Sequence, residues 1–213
     1  MAEADTYFII PNDGWVDGAS NPLHVQGAVF TAADQTSALG LISNFMGNNA
    51  CMSGTAARVD QSSDACLTLM FPPPAVDCYD YFWGAELGWN LNQPLDPTTM
   101  MAGTPAPFDA SALRGFAFDI EGSVVPAPKS LRFQVETDSQ VFCSPAPVKI
   151  KSGTNVVLLS ELVTNCFNVN VQSVSAETAK SSLIKLSWLV VTNMFQAVAR
   201  PLSGRPDRTE RLL

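Results

Sequence analysis

Apolar and polar positions alternate with a period of two at two places in the chain. Across Gly115–Gly122, Phe116, Phe118 and Ile120 fall on one face and Ala117, Asp119 and Glu121 on the other. Leu131–Glu136 repeats the scheme, with Leu131, Phe133 and Val135 set against Arg132, Gln134 and Glu136. This period marks a β-strand with one face in a core. Shorter β-type runs are Tyr7–Ile10, halted by Pro-Asn-Asp-Gly, then Val25–Thr31, Ala56–Val59, Ala65–Phe71, Tyr81–Leu91, Val156–Leu162, Val169–Val174 and Ile184–Thr192. Pro72–Pro74 stop the fourth of these, because proline has no N–H to give a central ladder. Ser37–Met46 predicts a short helical turn. Gln93–Phe108, rich in Pro, Thr and Met, predicts a long loop, read as a surface excursion or as a lid or binding loop.

Many short strands separated by turn residues predict an all-β domain, a jelly-roll β-sandwich of two antiparallel sheets with short helical turns in its loops. A chain of 213 residues with 46% apolar residues can bury one full core, so residues 1–193 are expected to form a single domain. After Asn193 the alternation fades, and Arg200–Leu213 holds four of the 12 basic residues. Residues 194–213 are read as an atypical tail, disordered or non-native. Without a closing strand the sheet keeps an open edge, which predicts a homodimer through that edge.

Charge narrows the partners. A net charge of −8 with no basic stripe argues against nucleic acid. A mean hydropathy of +0.12 with no apolar run of spanning length argues against a transmembrane helix, and Lys185 interrupts the longest candidate, Ser182–Val191. The opening Met1–Asp5 has neither the basic nor the apolar region of a signal peptide, so an export signal is expected to have been removed. The 5 cysteines show no zinc or CxxC spacing and sit in a chain poor in Lys. They predict an oxidising compartment, outside the cell or periplasmic, with cytosolic thiols as the other reading. Cys143 and Cys166 adjoin strand-like runs and are the expected disulfide; of Cys51, Cys66 and Cys78, one must stay unpaired.

Several segments together carry a resemblance: Asp17–Pro22 before Val25–Gly27, Cys51–Ala56, Trp83–Asn92, Gly115–Gly122, Leu131–Val135 and Trp188–Asn193. In these the chain resembles bacterial carbohydrate-binding modules of the galactose-binding-like jelly-roll type, and secreted proteins sharing their strand pattern. The resemblance implies a secreted sugar-binding domain. It also implies a structural Ca²⁺, for which Asp13, Asp17 and Asn21 in one Gly-containing loop offer hard oxygen ligands; an Asx-rich turn without metal is the other reading. Relatives tend to close with one further strand, and residues 194–213 depart from that pattern.

Sugar recognition needs flat apolar faces against C–H-rich rings and planar polar groups for hydroxyls. Trp83 and Trp89 lie on one side of a regular strand and are either ligand platforms or core. Asp119, Glu121, Arg132, Gln134 and Glu136 form a polar set, read either as a binding face or as a solvated one in which Arg132 pairs across strands with Asp119 or Glu121. Asp119 and Glu121, two apart on one face, also satisfy the two-carboxylate requirement of glycoside hydrolysis. His24, the 1 histidine, rules out multi-histidine metal centres. The expected function is carbohydrate binding without turnover. The rivals are a small glycoside hydrolase or polysaccharide lyase on the same fold, and a structural or adhesion domain of the cell surface.

Overall fold

A computed structural model describes residues 7–34, 42–47, 49–56, 83–125, 131–145, 148, 150–164, 173–191, 195–199 and 211–212. In chain order the strands are β1 (Tyr7–Phe8), β2 (Trp15–Val16), β3 (Gly27–Ala33), β4 (Ile42–Met46), β5 (Asn49–Ala56), β6 (Gly84–Asn90) and β7 (Gly115–Ile120). They continue with β8 (Gly122–Val125), β9 (Leu131–Glu136), β10 (Val141–Cys143), β11 (Lys151–Leu158), β12 (Lys185–Val191), β13 (Phe195–Ala199) and β14 (Arg211–Leu212). Short 3₁₀ turns at Gly18–Ser20, Leu159–Glu161 and Ala176–Ser182 complete an all-β architecture.

The described strands form three antiparallel sheets rather than two: β10-β9-β12-β6-β3-β2, β1-β14-β7-β11 and β4-β5-β13-β8. The two strands with the clearest alternation, β7 and β9, therefore belong to different sheets. Alternation fixes which face is apolar; the strand's neighbour depends on contacts distant in sequence. Two strands, β13 and β14, fall within residues 194–213.

Two other expectations change. Ile42–Met46 is not helical but pairs with β5 from Ile42↔Ser53 to Met46↔Asn49. Gly47 takes φ +56 in the turn between them, a conformation open to glycine at little cost. The Gln93–Phe108 segment is loop, as expected, and is tied down: Gly103 N donates to Pro94 O, Ala106 N to Asn92 O, and the Gln93 amide donates to Gly103 O at 2.8 Å. Ala65–Phe71, Val169–Gln172, Cys66, Cys78 and Cys166 lie outside the described residues.

The core joins two sheets through aromatic rings. Phe133 of β9 stands 5.7 Å from Phe116 and 4.8 Å from Phe118 of β7 between ring centroids. Trp188 of β12 meets Phe118 edge-on at 5.2 Å. All three separations suit tilted or edge-to-face aromatic pairs. Register carries that inner face across the sheet: Trp188↔Phe133, Leu186↔Val135 and Val190↔Leu131 on one side, Leu186↔Trp89 and Val190↔Ala85 on the other. Every one of these residues is buried.

Cys143 on the edge strand β10 is disulfide-bonded, and Cys51 on β5 is a buried free thiol. Burial pushes the Cys51 thiol pKa up, which keeps it protonated and poorly reactive.

Phe133 is fully buried at the junction of the two sheets, whereas Val156 of β11 is 51% exposed. Phe133→Ala is expected to cost about 3–5 kcal/mol in urea unfolding, and Val156→Ala to stay within about 0.5 kcal/mol. Equal effects would show that the aromatic junction is not what holds these sheets together.

Candidate functional site

If Leu186, Trp188 and Val190 point inward, Lys185, Ser187 and Leu189 must point outward from the same strand. The register then assembles the opposite face: Lys185↔Glu136, Ser187↔Gln134 and Leu189↔Arg132 toward β9, and Lys185↔Asn90, Ser187↔Gly88 and Leu189↔Glu86 toward β6. Much of it is covered, with Ser187, Leu189, Gln134, Glu86 and Asn90 buried, and it opens to solvent at Lys185 and Glu136. Phe30 of β3 lies opposite Gly88. A Cβ at Gly88 would collide with the Phe30 ring, so glycine is what lets that ring lie flat on the strand.

Lys185 is the centre of this face. Its Nζ lies 3.0 Å from Glu86 Oε1 and 3.1 Å from Glu136 Oε1, and 5.6 Å from the centroid of Phe30. The side chains of Lys185 and Glu136 are 21% and 20% exposed, that of Glu86 only 7%. Gln134 donates to Glu136 Oε1 at 3.0 Å, while its own Oε1 is buried with no hydrogen-bond partner among the described residues. At the far end Asn90 donates to Gln93 Oε1 at 3.0 Å, the atom that also accepts the Ala28 N–H.

The pKa values of this cluster shift for different reasons. Burial pushes the Glu136 carboxyl up, and the neighbouring Glu86 adds to it; the pull of Lys185 is too small to reverse the shift. Burial also pushes the Lys185 ammonium down, but the two carboxylates outweigh it and hold its pKa above the ordinary lysine value. The ammonium collects two attractions, whereas each carboxylate shares one cation and repels its twin.

Three residues expected from sequence, Arg132, Gln134 and Glu136, lie on this face. Asp119 and Glu121 do not join them. Asp119 is the penultimate residue of β7 in another sheet, half-buried, with Oδ1 buried and without a hydrogen-bond partner among the described residues; Glu121 is exposed between β7 and β8. A cross-strand pair of Arg132 with either is therefore excluded, and Arg132 stands opposite Leu189 instead. Trp89 is 5% exposed on the inner face, so neither side of its ring can stack on a ligand. Trp83 is half-buried, one residue before β6.

Asp13, Asp17 and Asn21 do come to one cleft. Their contacts are with the chain itself: Asp13 Oδ1 accepts from Gly47 N, Asp17 Oδ1 from Ala19 N, and Asn21 Oδ1 from Val25 N. Asn21 is buried, its amide also donating to the Asp17 and Val25 carbonyls. That leaves two carboxylates on the cleft, short of the six to eight oxygens of calcium. No cluster of three or more His, Cys, Asp or Glu fit to hold a metal occurs among the described residues. His24 is exposed, with Nδ1 3.2 Å from Gly18 O.

The sequence pattern did not single out Glu86, Ser187, Phe30 or Lys185 for this face, whereas it placed Asn90 on the side of its strand opposite Trp89. Lys185 stood out in the sequence only as an interruption of an apolar run. Its two-residue spacing from Ser187, out of phase with Leu186, Trp188 and Val190, was the signal that it faces away from the core.

Lys185→Met leaves two adjacent, largely buried carboxylates without their cation. Since lysine and Glu136 are partly solvated, the expected loss at pH 7 is about 2–3 kcal/mol, below the value for a fully buried pair. In the variant, desolvation and mutual repulsion raise carboxylate pKa values in the folded state. Stability is then regained as pH falls and lost as it rises. Urea unfolding at pH 7 and 4.5 should therefore show a deficit that shrinks at the lower pH; a constant deficit would assign it to lost packing. No protein-family model matches this chain and no curated protein matches it, so the reading of the face rests on its geometry.

Proposed function

We propose that the protein is a jelly-roll β-sandwich that binds carbohydrate, without turnover, on the outer face of its six-stranded sheet. The observation that carries this reading is the buried, unpartnered Gln134 Oε1 beside the partly open Glu136 and Lys185. An uncompensated buried acceptor next to solvated hydrogen-bonding groups is satisfied by a hydroxyl donor. Phe30, half-buried beside Lys185, is the aromatic side chain of this face and its candidate apolar surface for a sugar ring. The disulfide at Cys143 supports an oxidising, secreted setting. Val163, in a bridge with Cys143, is three residues from Cys166, which favours that cysteine as the partner.

A hydrolytic reading has one observation in its favour. Two carboxylate oxygens 3.0 and 3.1 Å from one nitrogen are at most about 6.1 Å apart, an upper limit that reaches into the roughly 5–9.5 Å that glycoside hydrolysis uses. The Lys185 ammonium, however, occupies the space between Glu86 and Glu136 where a reacting sugar carbon would sit. Binding is therefore the preferred reading.

Titration calorimetry against soluble glycans, with reducing-end release measured in parallel, is expected to find saturable binding and no product. Phe30→Ala and Glu136→Gln should each weaken binding at least about tenfold, or about 1.4 kcal/mol. Product release abolished by Glu86→Gln or Glu136→Gln would replace binding with hydrolysis, and silence in both channels would favour a structural or adhesive role. Non-reducing peptide mass mapping should return Cys143 joined to Cys166; free thiols at both would remove the support for secretion.

A further inference from the structure

A second concave region lies away from the sheet face. Ile9, Ile10, Asn12, Asp13, Trp15 and Asp17 on one side, and Leu95 and Met100 on the other, border a cleft of about 830 Å³. The near wall is a tight hairpin: Asn12 and Trp15 exchange backbone hydrogen bonds of 2.7 and 3.0 Å around Asp13 and Gly14, at φ 50 and 80. Positive φ at both central residues is the form that suits a two-residue hairpin, and Asp-Gly is a preferred pair for it. The turn fixes Trp15 and Asp13 on the cleft.

The far wall is the turn Asp96–Met101, closed by Asp96 N to Met101 O and Met100 N to Asp96 O. Its Asp96 carboxylate accepts from Thr98 N and Thr99 N. Met100 sits at φ 55, where a bulky side chain is disfavoured and Gly or Asn would be at ease. It is nonetheless a methionine, 67% exposed, and Ile10 across the cleft is 40% exposed. Two exposed apolar side chains and a half-buried tryptophan border one cavity.

The charge of this lining has one sign. Among the described residues Asp13 and Asp17 are the charged members of the lining, with no Lys, Arg or His beside them, and the chain as a whole carries −8. An indole, a polarisable thioether, aliphatic walls and two carboxylates match an organic cation with an apolar body.

We propose that this cleft binds a small organic cation of the alkylammonium class, with Trp15 and Met100 against its alkyl groups and Asp13 and Asp17 balancing its charge. The inference is independent of the carbohydrate reading, because it uses no residue of the sheet face.

The test is calorimetric titration of the intact protein with choline chloride and, in parallel, with 3,3-dimethylbutanol, its uncharged isostere. Saturable choline binding is expected, with the isostere at least tenfold weaker. The double variant Asp13→Asn, Asp17→Asn keeps an amide oxygen for the Gly47 and Ala19 N–H groups, and asparagine tolerates the φ of position 13. It should lose at least tenfold in choline affinity at an unchanged melting temperature. Met100→Gly, which relieves the backbone, should also weaken choline while raising the melting temperature. Equal binding of choline and its isostere, undiminished choline affinity in the double variant, or no saturable heat with choline would each overturn the proposal.

Discussion

The constraint on which the structure depends is the two-residue period of β12, the strand paired on both sides in the middle of the six-stranded sheet. One side of it must bury Leu186, Trp188 and Val190 against the rings of β7, and that choice commits Lys185 and Ser187 to the opposite face. A one-residue slip would bring an ammonium into an aromatic core, a cost far beyond any pairing gain. The same register that packs Trp188 against Phe133 brings Lys185 beside Glu136. Core and candidate site are two consequences of one alignment.

The electrostatics of that face follow from its stoichiometry. One cation serves two carboxylates in a region where water reaches Lys185 and Glu136 but hardly Glu86. The lysine is strongly held, whereas burial makes Glu136 easier to protonate than an ordinary glutamate. Such a cluster adds little net stability over an apolar equivalent, since desolvation consumes much of the attraction. What it does provide is a fixed array of donors and acceptors on a rigid support, the property that recognition of a polyhydroxylated ligand needs.

How much of this could be read from the chain depended on how local the determining physics is. The all-β class and the apolar faces of Phe116, Phe118, Phe133 and Val135 were legible because period-two alternation is a property of a few adjacent residues. Gln134 and Glu136 were legible as members of one polar strand face for the same reason. The assignment of β7 and β9 to different sheets was not, because partner choice is decided by contacts between distant segments. It separated Asp119 and Glu121 from the rest of the polar set. Trp89 misled because an aromatic residue serves a core and a sugar platform equally well in sequence, and only its register with Leu186 and Val29 separates the two. The helical turn expected near Ser37–Met46 failed where β4 found a partner in β5, tertiary pairing overriding a weak local preference.

The two candidate surfaces differ in what holds them, and this bears on how each would respond to a ligand. On the sheet face the side chains stand on paired strands, so the geometry is set before any ligand arrives and binding should need little rearrangement. The cleft at Trp15 is bordered by two loops, but neither is slack. The Asn12–Trp15 hairpin is anchored by Gly47, and the segment carrying Met100 is pinned through Asp96 and, further along, through Gln93. Gln93 also accepts from Asn90 and from the Ala28 N–H. One buried amide thus ties the long loop to two strands of the six-stranded sheet. Both surfaces are preorganised, the first by strand register and the second by side chains that satisfy loop backbone, which explains how a long loop without regular structure can border a defined cavity.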